Sequence, residues 1–439
     1  MTASNIKSTP YWWESAPLVT PSEQILPTET DVLVVGAGYS GLSAAITLVR
    51  AGTSALVLDR QVPGEGASSR NGGMATGNIR LSFADMVRNF GKARALGVQA
   101  EGKAAREDLR RFIQDEGIDC DYRLCGQFSG ALSRADYDAS ARSAEALAKA
   151  LDIDSYAVPR SVQHQYIGTD LYCGGAVRMD IGGLDPGKFY AGMLRVAQEA
   201  GAVVQGETAV LSIDREGTSF TVATSRGKIR AGQVLVCTNG YTDASDRWLR
   251  RRIVPVRSRI IATEPLPRDL MNRLMPTQMM YGDGRKLSYY YRPSPDGTRI
   301  LFGGRDGTVS GDPAWPTEHL RVELGRIFPE LAKVSLSHSW FGYVAMHRDM
   351  IPRLFRNRGV IYATGYCGSG VVWARWLGMK AALQILGNSQ AGRTVFDFGP
   401  PKSIPLFTGK AWFMPFVYAK MEFEDRRLLR RNGKEDNED

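Results

Sequence analysis

The chain has 439 residues, 43% of them hydrophobic and 23% charged, with a formal net charge of +9. That length suits two domains or an interleaved pair, and the composition is that of an ordinary globular protein. No apolar run approaches the roughly 18 residues of a membrane span. The N-terminus MTASNIKSTPYWWESAPLVTPSEQ lacks the apolar core of a secretory signal. The five cysteines (Cys120, Cys125, Cys173, Cys237, Cys367) form no metal-ligand spacing. With only four histidines, a His-based metal centre or a Ser-His-Asp triad is unattractive. The expectation is a cytoplasmic protein with reduced thiols and no metal. Its dispersed positive charge is read as a solvated surface, without nucleic acid as partner.

In chain order, residues 1–29 are expected to form an arm packed on the core. Val32–Val35 is a continuous apolar run, as in a buried parallel strand. It ends at Gly36, and Gly36, Gly38 and Gly41 complete a G-x-G-x-x-G turn. The first glycine permits the turn, the second lets backbone approach a pyrophosphate, and the third lets helix pack on strand. The helix predicted from about Gly41 to Ala51 would point its positive end at that phosphate. A second strand, Ala55–Leu58, brings Asp59 to its end, 23 positions after Gly36. A carboxylate there can accept from both hydroxyls of an adenosine ribose. These features define a dinucleotide site without separating NAD from FAD.

The stretch Gly64–Met74, GEGASSRNGGM, is too glycine-rich for regular strand or helix and suits close contact with a flat ligand. Residues 86–150 carry helical, alanine-rich charged patterns, and Gly182–Pro186 leads into a helix ending near Gly201. Thr208–Arg230 alternates around glycine turns, as in a β-meander. Between 250 and 336, VPVRSRIIATEPL, KLSYYYRP and TRILFGGRD are strand candidates. Alternation sends Tyr290 and Arg292 to one face and Tyr289 and Tyr291 to the other. Gly359–Thr364 reads as a strand, and Gly365, Gly368 and Gly370 open a further helix whose N-terminus favours negative charge. Ala411–Phe423, AWFMPFVYAKMEF, suits either an amphipathic membrane-facing element or packing on its own domain. The charged tail after it is expected to fray.

Taken together, Gly36, Gly38, Gly41, Ala45, Leu48, Gly52 and Asp59, the GASSRNGG stretch, Gly182–Pro186, the strand ending in Thr238-Asn239-Gly240, Trp340–Leu354 and Gly359–Gly387 resemble the D-amino-acid-oxidase-type family of FAD-dependent oxidoreductases. Ala55 and Asp59 depart from the commoner valine and glutamate. The resemblance implies an α/β fold in which a Rossmann-like FAD-binding domain of the glutathione-reductase type is interleaved with a mixed-sheet α+β substrate domain. Segments 30–85, 176–248 and 338–398 would form the FAD domain, and 86–175 and 249–337 the substrate domain, with 399–439 as a C-terminal extension.

The same resemblance implies FAD contacts from Gly36, Gly38, Gly41, Asp59, Arg60, Ala67, Ser68, Arg70, Asn71, Gly72, Gly73, Val210, Thr238, Asn239, Gly240, Gly365, Cys367, Gly368, Ser369, Gly370 and Val371. His347, Tyr290 and Arg292 are the candidate catalytic residues, and Arg292 or Arg305 could clamp a substrate carboxylate or other anion. FGYVAMHRD lacks the cysteine that tethers flavin in sarcosine oxidases of the family, so FAD is expected to be noncovalent. ILFGG lacks their oxygen-assisting lysine, and Lys286 lies upstream, leaving oxygen or a quinone as acceptor. The expected reaction is oxidation of a C–N bond in a small amine or amino acid, by hydride transfer to flavin N5. The alternatives are a 2-hydroxy-acid dehydrogenase and a flavoprotein serving RNA modification or complex assembly.

Overall fold

The computed structural model describes residues 6–20, 22–305, 314–409 and 411–435, with side chains through 429. Apolar strand runs and glycine-limited turns sort the chain into two large sheets. In the first, Val203–Gln205, Ala55–Leu58, Glu29–Val35, Gly227–Val236 and Val360–Thr364 lie side by side and parallel. Arg353–Asn357 adds an antiparallel edge. Val32, Leu33, Val34, Leu56 and Val57 are buried on both faces, as a covered parallel sheet requires. Gly227–Val236 is long because its first half also closes a meander with Val210–Glu216 and Ser219–Thr224. Helices Tyr39–Arg50, Pro186–Glu199 and Gly370–Ile385 share this sheet's core.

The second sheet is mixed. Its order is Leu336–Met346, Val254–Thr263, Ile300–Arg305, Tyr290–Pro293, Met280–Asp283, Gln127–Gly130, Gly175–Arg178 and Ser155–Val158. Met280–Asp283 and Gln127–Gly130 are its parallel pair. Phe128, Tyr281, Tyr291, Phe302 and Phe328 fill the core beneath it. The architecture is thus a Rossmann-like α/β unit joined to a mixed-sheet unit.

Several segments sit elsewhere than the expected unit boundaries put them. Gly175–Arg178 and Leu336–Met346 are hydrogen-bonded into the second sheet. Helix Lys92–Asp115 buries Val98, Leu109 and Phe112 in the first core. We propose that sheet and core membership, rather than the sequence boundaries, divide the two units. Other local expectations also shift. Ala67–Arg70 makes one helical turn inside the glycine-rich stretch, whose glycines flank that turn rather than interrupt it. The first helix begins at Tyr39, two residues before Gly41. The charged tail is helical through Glu435, because Tyr418, Met421, Leu428 and Leu429 pack on the second core. Residues 436–439 lie outside the described residues.

Candidate cofactor and active site

An open cavity of about 620 Å³ runs from the C-terminal ends of the parallel strands to the face of the second sheet. Ligands of open parallel sheets bind beyond those strand ends. At one end it is lined by Asp59, Arg60, Thr208, Val210 and Thr238, and at the other by Ser258, Tyr290 and Arg305.

The first turn shows why its glycines are needed. Gly36 has φ +104°, and a Cβ on Gly41 would lie 2.0 Å from Gly36 O. Asp59 Oδ2 accepts the Ala37 N–H (2.8 Å) and Oδ1 the Gln61 N–H (3.0 Å). Each oxygen keeps lone-pair capacity for a further donor. Burial raises the Asp59 pKa against these two backbone bonds. Arg60 is turned to the rim, where Nη1 donates to Asp243 (2.6 Å).

The GASSRNGG segment forms the next wall. Ala67, Ser68, Arg70, Asn71 and Gly72 line the cavity. Ser68 Oγ accepts the Tyr39 N–H (3.0 Å), joining this segment to the first helix's N-terminus. Asn71 Oδ1 accepts the Gly73 N–H (2.8 Å) and its Nδ2 donates to Ser68 O (2.8 Å), so Asn71 shapes its own loop. The N-terminal arm braces the segment from behind. Trp12 Nε1 donates to Asn71 O and Trp13 Nε1 to Ser69 Oγ, both at 2.8 Å. Arg70 lies over the Trp13 ring at 4.5 Å.

The third turn is Tyr366–Ser369. Cys367 (φ +52°) and Gly368 (φ +107°) curl the backbone, and helix Gly370–Ile385 begins without a side-chain cap. Cys367, Gly368, Ser369, Gly370 and Val371 all line the cavity. Uncapped N–H groups at a helix start suit an anion. Cys367 Sγ donates to Gly365 O (3.1 Å), and burial pushes its thiol pKa up to about 12. Asn239 lines the cavity and ties this turn to the strand before it, its Oδ1 accepting the Gly365 N–H (2.9 Å).

Gly41, Gly73, Gly240 and Gly365 stand behind the wall instead of on it. Their role is close approach: a Cβ on Gly73 would meet Leu184 O at 2.1 Å, and one on Gly240 would meet Tyr343 O at 2.8 Å.

Two expected catalytic side chains are not at the cavity. Arg292 shares a face with Tyr290, as alternation requires, but its guanidinium is buried and committed to backbone carbonyls. Nη1 donates to Leu184 O (2.7 Å) and Gly73 O (3.1 Å), and Nε to Pro293 O (3.1 Å). It has no geometry for clamping a ligand. His347 is buried behind Gly365; its Nε2 donates to Ile351 O (2.6 Å), with Nδ1 3.4 Å from the Asp349 N–H. Burial and Arg353 lower its pKa to about 4, so the imidazole is neutral.

Tyr290 does line the cavity, its hydroxyl 3.3 Å from Ser258 Oγ, and burial raises its pKa. Beside it are two cations, Arg305, which the sequence offered as an anion clamp, and Arg80, which it left unassigned. Arg80 Nη1 donates to Ser288 Oγ (2.6 Å) and Nη2 to Lys286 O (3.3 Å). Burial, reinforced by Arg305, lowers its pKa to about 10. Arg305 Nη2 lies 3.9 Å from where a Cβ on Gly368 would stand. Among the described residues neither guanidinium has a carboxylate partner. The loop 284–288 beneath Arg80 is held by a buried ion pair, Arg285 Nη1 donating to Glu323 (2.7 Å) and Nε to Asp283 (2.9 Å). It is also held by Asp425, which accepts the Lys286 and Leu287 N–H groups at 2.7 and 3.1 Å.

Three turns with small residues, a carboxylate at the second strand's end and an uncapped helix start on one cavity define a dinucleotide-dependent oxidoreductase site. A family described as FAD dependent oxidoreductase matches residues 31–383, and the chain belongs to it. The chain is 29% identical over 413 residues to the probable oxidoreductase OrdL of Rhizobium meliloti (strain 1021), covering 92% of this chain and 93% of that protein. It is 30% identical over 415 residues to the gamma-glutamylputrescine oxidoreductase of Escherichia coli (strain K12), with the same two coverages, 92% and 93%. Its fold matches glycine oxidase from Geobacillus kaustophilus with a TM-score of 0.69 at 20% identity, over 86% of this chain and 100% of that one. The cofactor is FAD, and the glycine-lined cradle and free acceptor capacity of Asp59 fit it. Among the described residues no helix is long and apolar enough to cross a membrane.

Proposed function

We propose that the protein oxidises the C–N bond of a small amine or amino acid that carries a carboxylate or other anionic group. Bound FAD supplies the two-electron acceptor for the α-hydrogen. The observation that carries the anionic part is the pair Arg80 and Arg305, which face the cavity beside the Gly368 turn without a carboxylate partner among the described residues. Cations held in a partly desolvated cavity favour an anion there, and a guanidinium can bind it bidentately. Tyr290 and Ser258 present hydroxyls between these cations and the Gly72 wall, where they can orient the substrate.

His347, neutral and occupied by Ile351 O, supplies no base, so the amine reaches the site already deprotonated, its proton lost to water. Loss of the α-hydrogen with two electrons leaves an iminium cation, which gives up an N–H proton to water or is itself attacked by water, and hydrolysis gives a carbonyl compound with release of ammonia or an amine. The name of the Escherichia coli relative supports the amine reading over hydroxy-acid oxidation. We place FAD at the residues lining the cavity and held noncovalently. Oxygen or a quinone is the final acceptor. The free cysteines suit a reducing, cytoplasmic compartment.

The test is anaerobic titration of the purified yellow protein with amines, amino acids and 2-hydroxy acids. Bleaching by an anionic amine, with one carbonyl product formed per flavin, supports the reading. Bleaching by 2-hydroxy acids alone would replace it with the dehydrogenase alternative.

A further inference from the structure

The C-terminal helix Met414–Glu435 lies beyond the family-matched segment and has two unlike faces. Its inner face packs Tyr418, Met421, Leu428 and Leu429 on the second core and presents buried Asp425 to the loop that lines the cavity. Its outer face leaves Phe416 72% and Phe423 68% exposed. At about 100° per residue, Phe416, Lys420, Phe423 and Arg427 fall on one stripe. Lys420 and Arg427 are exposed on it, Lys420 3.8 Å from Glu424 on its flank, whereas Glu422 and Asp425 of the same turns lie off it. In the segment before the helix, Leu406 is 83% and Trp412 52% exposed. Trp412 is anchored there, its Nε1 donating to Leu406 O (3.3 Å) and its ring edge-on to Phe413 at 5.7 Å. The sequence adds four further cations over its last turns, Arg426, Arg430, Arg431 and Lys434, of which Arg426 lies 3.4 Å from Glu422.

We propose that this helix docks the protein on the surface of an anionic phospholipid bilayer, with the cavity loop 284–288 on its opposite side. Exposed aromatics in line with cations are what an interfacial helix presents to acyl chains and headgroup phosphates. A second copy of this chain, paired face to face, would set the same cations against one another. No described helix is apolar enough to span, so the helix lies on the bilayer. The docking is independent of which substrate the cavity takes.

The test is co-sedimentation of the FAD-loaded full chain with equimolar phosphatidylcholine–phosphatidylglycerol vesicles and with phosphatidylcholine vesicles alone. The wild type should pellet with the anionic vesicles only, and raised salt should release it. The variant Phe416→Ser/Phe423→Ser should lose at least about tenfold in vesicle affinity while keeping its flavin and melting temperature, since both side chains are exposed. Lys420→Glu/Arg427→Glu should lose binding to the anionic vesicles likewise. A wild type that stays in the supernatant, or a serine variant that pellets equally, overturns the proposal. So does a wild-type dimer in gel filtration that the serine variant splits into monomers, which would assign the face to self-association.

Discussion

Trp12 Nε1 donates to the carbonyl of Asn71 at 2.8 Å, so the N-terminal arm holds the back of the loop whose front faces the cavity. Trp13 does the same through Ser69 Oγ. A neutral hydrogen bond contributes about 1 kcal/mol, or roughly fivefold in an equilibrium constant. Trp12→Phe and Trp13→Phe should therefore each raise the FAD dissociation constant several-fold, read from quenching of flavin fluorescence on titration into apoprotein. Unchanged affinity in both variants would leave the arm a purely structural cover.

Arg80 and Arg292 should separate cleanly under mutation. Arg80→Ala removes a cavity cation and should lower kcat/KM for an anionic amine about 10- to 100-fold, as loss of a charged hydrogen bond does. Its flavin content should not change. Arg292→Ala leaves three backbone carbonyls without their buried donor and should lower stability by about 2–4 kcal/mol in urea unfolding. Arg305→Ala should behave like Arg80→Ala.

His347 makes stability fall with acid. Its folded pKa of about 4 lies below the ordinary 6.5, so the unfolded chain binds the proton more readily. Its contribution is full above about pH 6.5, is lost progressively as pH falls towards 4, and amounts to at most about 3 kcal/mol. His347→Gln, which can still donate to Ile351 O, should flatten the unfolding free energy against pH in that window. An unaltered slope would assign the acid sensitivity to other groups.

Asp425 links the C-terminal helix to the cavity. Asp425→Ala should free the Lys286 and Leu287 N–H groups and speed tryptic cleavage after Arg285 or Lys286. Because Lys286 O and Ser288 Oγ hold Arg80, KM for the anionic substrate should rise more than kcat falls. Asp425→Asn keeps one acceptor oxygen and should fall between.

These residues also show what a sequence can disclose. Gly36, Gly41 and Asp59 were legible because local sterics dictate them: the turn, the helix contact and the carboxylate lie within one βα unit. The meander and the last βα turn were legible for the same reason. For Arg292, alternation correctly named its face, but a face does not name a partner, and the carbonyls it meets come from Gly73 and Leu184, far along the chain. Arg80, Trp12 and Asp425 carried no local signal. Each reaches the site from a segment that the fold alone brings near, and Arg80 sits in MATGNIRLS without a spacing that marks it. His347 stood next to a family-like segment, yet the left-handed Gly365 turn puts it behind the wall.

The most direct measurement is the anaerobic absorbance of the flavin during titration with a small amine bearing a carboxylate, in wild type and in Arg80→Ala/Arg305→Ala. The expected result is loss of the oxidised flavin band in the wild type, with the aldehyde or oxo-acid formed in equal amount, and a much higher amine concentration needed by the variant. A protein that binds no FAD, or a flavin that every anionic amine leaves oxidised, would contradict it.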